Sequence, residues 1–60
     1  MILPADDFIL LSLVNTKLRD VYSSLEDLCG EEDVPQEEIS SRLSVIGYFY
    51  NADLNAFVRA

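Results

Sequence analysis

Cys29 is the only thiol in a chain of 60 residues that has no histidine. A thiol attacks as the thiolate, so it needs a base or a cation beside it. Leu25, Leu28 and Cys29 recur at i, i+3 and i+4, which places Cys29 in an apolar helical stripe and reads as packing. Ser12, Ser23, Ser24, Ser40, Ser41 and Ser44 have no general base in view, and no glycine-rich loop is present to cradle a phosphate. Glu31-Glu32-Asp33 lacks the alternating ligands and central glycine of a calcium loop. No catalytic residue, cofactor or metal is therefore expected. Tyr22, Tyr48 and Tyr50 read as packing residues with a hydroxyl at the rim. The alternative for the aromatics is an exposed contact surface.

Three groupings remain that bear on binding. Asn15, Thr16, Lys17 and Arg19 combine an amide, a hydroxyl and two of the four cations in the chain. That chemistry suits a phosphate or carboxylate. The structural alternative has Asn15 bonding a neighbouring backbone group while Lys17 and Arg19 pair with Asp20, Glu26 or Asp27. Ile9 and Leu13, four residues apart, form a second apolar patch that either the C-terminal segment or another chain must cover. The acidic block holds seven of the eleven acids between Glu26 and Glu38, with no cation among them. It reads as a solvated face or as a dock for a basic partner. The candidate interaction surface is accordingly Ile9, Leu13, Asn15, Thr16, Lys17, Arg19, Tyr48 and Tyr50.

Charge narrows the partners. Four basic residues against eleven acidic ones give a net charge of −7, which repels nucleic acid and anionic membrane over most of the surface. One cysteine cannot close an internal disulfide. The apolar run Phe8 to Leu11 is too short for a signal core or a membrane span. A cytoplasmic setting and a protein partner or a homodimer are the expectation. A chain this short buries only about 60% of its unfolded surface, so partnering is a common supplement to its core.

The positioning elements follow from periodicity, over residues 1-60 as one domain. A helix at about 6–21 starts on Asp6 as N-cap, with Asp7 in its first turn. Its core face is Leu10, Leu11, Val14, Leu18, Val21 and Tyr22. Ser23 followed by Glu26 reads as a capping box opening a helix at about 24–31, weakened by Gly30. Pro35 suits the first position of a helix at about 35–46, with Ile39, Leu43 and Ile46 as its stripe and Gly47 as its left-handed stop. Tyr48 to Val58 reads as a hairpin at about 48–58. A fourth short helix over Ala52 to Val58 is the competing reading.

The stretch Ser24 to Val58 resembles a winged helix-turn-helix. The likeness is carried by Cys29, Val34 and the pair Gly47-Tyr48, within Ser24-Leu25-Glu26-Asp27-Leu28-Cys29-Gly30 and Val34-Pro35-Gln36-Glu37-Glu38-Ile39-Ser40-Ser41-Arg42-Leu43. The expected fold is thus mainly α: a three-helix, winged-helix-turn-helix-like domain with a short C-terminal β-hairpin. In such a family the third helix reads DNA, here with Gln36, Glu37, Ser40, Ser41 and Ser44 facing out. Glu37 and Glu38 stand where phosphate would approach, Arg42 is the only cation, and the wing has none, so nucleic-acid binding is disfavoured. Nearly the whole chain also resembles a family of short bacterial proteins known as a domain of unknown function. The words are Val14-Asn15-Thr16-Lys17-Leu18-Arg19-Asp20, Tyr22-Ser23-Ser24-Leu25, Ile46-Gly47-Tyr48 with Tyr50, and Leu54-Asn55 with Phe57. That resemblance implies a bacterial, cytoplasmic origin and no activity.

Overall fold

The computed structural model describes all residues, 1–60. Three helices are followed by a two-stranded antiparallel hairpin: α1 (Asp7–Asp20), α2 (Leu25–Glu32), α3 (Gln36–Val45), β1 (Tyr48–Asn51) and β2 (Ala56–Arg59). The side chain of Asp6 caps α1, accepting from the Phe8 and Ile9 amides at 2.8 and 3.1 Å. The competing helix over Ala52 to Val58 does not form. Residues 52–55 make the hairpin loop, Asn55 adopts a left-handed φ of 50°, and β2 returns with Tyr50 opposite Phe57.

Three local expectations are corrected. The capping residue of α2 is Ser24, whose hydroxyl accepts from the Asp27 amide at 3.0 Å, so the cap lies one residue beyond Ser23. The Asp27 carboxylate does not return to the Ser24 N–H but accepts from the Ser23 N–H at 3.5 Å and the Ser23 hydroxyl at 3.4 Å. Pro35 is the N-cap of α3 rather than its first helical residue. Val21 is 66% exposed and not on the core face, because the helix has ended and Val21 leaves helical geometry with φ −124°. Gly47 stops α3 as expected, at φ +86°. The stop at the end of α2 falls instead to Asp33, in the left-handed region at φ 55°.

The core is one cluster from all three helices and the hairpin: Leu10, Val14, Leu18, Leu25, Leu28, Cys29, Val34, Ile39, Leu43 and Phe57. Leu11, Tyr22, Ile46, Tyr48 and Tyr50 pack on its edge. Two strands alone are only marginally stable in water. Here the hairpin lays Phe57 and the half-buried Tyr50 onto the helices, their rings 5.6 Å apart. The hairpin does not reach across the outer side of α1: Phe8 and Ile9 remain 61% and 59% exposed.

Candidate interaction surface

The polar residues of α1 face the hairpin and α2. Asn15 bonds the Phe57 backbone twice, donating to its carbonyl at 3.0 Å and accepting from its N–H at 2.8 Å. The group it bonds is a backbone group, but one on β2 rather than a neighbour in sequence. A second amide completes the join. Asn55 Nδ2 donates to the carbonyls of Leu18 and Tyr22 at 3.0 and 2.9 Å, at the end of α1 where helix carbonyls lack intrahelical partners. The Tyr50 hydroxyl donates to Asn55 Oδ1 at 2.8 Å and accepts from the Leu25 amide at 3.2 Å. One relay thus ties β1, the hairpin loop, the end of α1 and the start of α2.

Lys17 reaches Glu32 at 3.1 Å, not an acid of its own neighbourhood, and the Tyr22 hydroxyl donates to the same Glu32 oxygen at 2.5 Å. The Met1 ammonium donates to the Glu32 carbonyl at 2.9 Å and lies 3.6 Å from its carboxylate. The Tyr22 bond, then the Lys17 bond, hold the Glu32 carboxyl below its ordinary range. The reciprocal effect, with burial, pushes Tyr22 up to about 12. Glu32 is therefore the member of the acidic block drawn inward, while Glu26, Asp27, Glu31, Asp33, Glu37 and Glu38 stay exposed. Arg19 pairs with Asp20 at 2.9 Å on the open surface.

On α3, Gln36, Glu37 and Ser41 are exposed, while Ser40 and Ser44 are half-buried. Ser41 and Ser44 donate back to their own helix, to the carbonyls of Glu38 and Ser41 at 3.3 and 2.7 Å. Arg42 turns toward the N-terminal segment, reaching Asp7 at 2.8 Å and the carbonyls of Pro4 and Ala5 at 2.6 and 3.1 Å. Cys29 is buried, and burial pushes its thiol up. No group of three or more His, Cys, Asp or Glu side chains is placed to hold a metal ion. No helix is long and apolar enough to cross a membrane.

What remains uncommitted is the outer side of α1. A cleft of about 570 Å³ runs between α1 and the hairpin loop, lined by Ser12, Asn15, Thr16, Leu18, Arg19, Leu54, Asn55 and Ala56. Ser12 and Thr16 also border an adjoining apolar groove with Phe8, Ile9 and Leu13. The two depressions therefore lie side by side and together mark one strip of surface along the helix. Leu54 walls it at 67% exposure, and Leu13 is half-buried. Of the sequence-derived surface, this strip gathers Ile9, Leu13, Thr16 and Arg19, with Asn15 also lining its cleft. Asn15, Lys17 and Tyr50 are engaged inside the fold, and Tyr48 packs on the core edge. Leu54 stands in the sequence only within the family word Leu54-Asn55, and it joins the strip because Asn55 pins its loop to α1. Phe8 carries a signal, since it lies one turn before Ser12 and next to Ile9.

Asn15, Lys17, Tyr22, Ser24, Tyr50, Asn55 and Phe57 each make one of the contacts above. No curated protein and no solved structure matches the chain. A family model described as a domain of unknown function, DUF4250, matches residues 4–57, which takes in every helix, β1 and the first half of β2, and the chain therefore belongs to the DUF4250 family.

Proposed function

We propose that the protein is a non-catalytic protein-interaction module that docks its partner along the outer strip of α1, in a bacterial cytoplasm. One observation carries this reading. Phe8, Ile9 and Leu54, each more than half exposed, border two adjoining depressions that share the small side chains Ser12 and Thr16. Contiguous apolar patches of roughly 300–600 Å² on small proteins are often functional. A floor of small residues between apolar ridges accepts a helix or a loop from outside. The cytoplasmic and bacterial setting rests on the family resemblance and on a lone, buried thiol.

A photo-reactive side chain at Thr16, introduced in the native cell, tests the reading. The expected result is a cross-linked protein product that is lost in an Ile9→Lys background with unchanged helical content. Absence of any protein product would exclude it. The helix-turn-helix reading stands second and finds no favouring observation, since Arg42, the one cation of α3, is committed to Asp7 and the Pro4 and Ala5 carbonyls.

A further inference from the structure

We infer that the strip is occupied by a second copy of the chain, α1 against α1, antiparallel about a twofold axis. This rests on the interaction-module reading above and names its partner. The strip is self-complementary. Ile9 and Leu13 stand one turn apart as a ridge, and Ser12 and Thr16 stand one turn apart as the adjoining trough. An axis passing between Ser12 and Leu13 sets Leu13 on the partner's Ser12 and Ile9 on the partner's Thr16, so each ridge fills the other trough.

Charge selects the same axis. From Phe8 to Thr16 no side chain ionises, in a chain of net charge −7. This uncharged run is where two acidic copies can meet without like-charge repulsion. At its ends the axis brings Asp6 opposite the partner's Arg19. Asp6 uses one carboxylate oxygen to cap α1, and Arg19, 73% exposed, gives Nε and Nη2 to its own Asp20 and keeps Nη1 for a second acid. The helix dipoles also oppose favourably. A parallel pairing would set Asp6 on the partner's Asp6 and Arg19 on the partner's Arg19. A strongly basic partner would find Asp6, Asp20 and Asp53 at the borders of the strip and no acid along it from Phe8 to Thr16.

Size sets the strength. A standard dimer buries about 800 Å² per partner, a large part of the 3829 Å² this chain exposes. The strip covers one helix and a loop, so the pair falls at the small end of stable interfaces.

Sedimentation equilibrium of the purified chain, with a photo-reactive side chain at Thr16 and peptide mapping, tests the inference. The expected result is a monomer–dimer equilibrium that Ile9→Lys and Leu13→Asp each weaken at least roughly tenfold, with far-UV circular dichroism preserved. The Thr16 adduct should map to the Phe8–Ser12 segment of the second copy. Ile9 is exposed, so Ile9→Lys reads association without threatening the fold. A chain that stays monomeric, a dimer indifferent to both substitutions, or an adduct joining Thr16 to Thr16 would each overturn the antiparallel pair. If the purified chain is monomeric but the in-cell adduct contains a different protein, the second copy fails and the interaction module stands. If no protein is captured at all, both fail.

Discussion

The Asn15 side-chain amide holds Phe57 by both of its outward backbone groups, donating to the carbonyl at 3.0 Å and accepting from the N–H at 2.8 Å. The pair spans 42 residues and joins the first helix to the last strand. No charge is involved, so the join is insensitive to salt and to neutral pH changes. It also fixes the amide orientation, since only one rotamer offers the donor to the carbonyl and the acceptor to the N–H.

Replacing Asn15 with Ala leaves both Phe57 groups without partners beside a buried ring. The expected loss is about 2–4 kcal/mol, a large share of the stability of so small a domain. Asn15→Asp should also destabilise, because a carboxylate cannot donate to the Phe57 carbonyl. Urea unfolding followed by circular dichroism measures both, and native-state exchange should show the Phe57 amide losing protection first.

The Tyr22–Glu32 bond predicts pH dependence at both ends of the scale. Tyr22 is raised from its ordinary 10.0 to about 12, so its contribution is complete below pH 10 and lost as pH rises through 12. Glu32 is held below its ordinary 4.5, so its contribution is complete above that value and lost as pH falls through the depressed one. Tyr22→Phe should remove the step near pH 12 from the tyrosinate absorbance titration and move acid unfolding to higher pH. An unchanged acid limb would show that the bond does not support Glu32.

The two glycines should respond with opposite signs. Gly30 lies inside α2 with open space where a Cβ would stand. Gly30→Ala should therefore stabilise by roughly 0.5–1 kcal/mol through helix propensity and unfolded-chain entropy. Gly47 has equally open space but φ +86°. Gly47→Ala should destabilise by about 1 kcal/mol or more from backbone strain alone. Thermal melts of the two variants side by side give the comparison.

Duplex DNA titrated at low salt should give no binding. Seating α3 in a groove would bring Glu37 and Glu38 toward phosphate and would require Arg42 to leave Asp7 and two carbonyls. Fluorescence anisotropy at decreasing salt checks this. Salt-dependent binding that Arg42→Ala weakens uniformly across sequences would restore the helix-turn-helix reading. Because the same substitution removes three contacts to the N-terminal segment, its stability should be measured in parallel, with an expected loss of about 1–3 kcal/mol.

The architecture was legible because its signals are local. Asp6 as cap, the Leu10-Val14-Leu18 spacing, the Leu25-Leu28-Cys29 stripe and Gly47 each act within a turn or two of chain. The cap of α2 lies one residue beyond Ser23 because Ser23-Glu26 and Ser24-Asp27 have the same spacing, and sequence offers nothing to separate them. Val21 was misplaced because the helical angle was carried past the last helical residue. The site was less legible. Lys17 finds Glu32, Asn15 finds Phe57, Asn55 finds Leu18 and Tyr22, and Arg42 finds Asp7, all across distances in sequence that no periodicity encodes. The most distinctive polar word of the chain therefore looked like a binding site, yet its Asn15 and Lys17 hold the fold together. The strip beside them is marked in sequence by Ile9 and Leu13 lying off the main apolar face, with Phe8 next to them.

A bare two-stranded hairpin presents two open rims of N–H and C=O groups, the template on which strands from other molecules add and fibrils grow. In this chain one rim is closed at its centre. The Asn15 amide stands where a neighbouring strand would lie against Phe57, so another molecule can add to β2 only after α1 lets go. The clasp is in this sense a guard against misassembly. Its removal should reveal itself in slow precipitation of a still helical chain, as well as in a lower melting temperature.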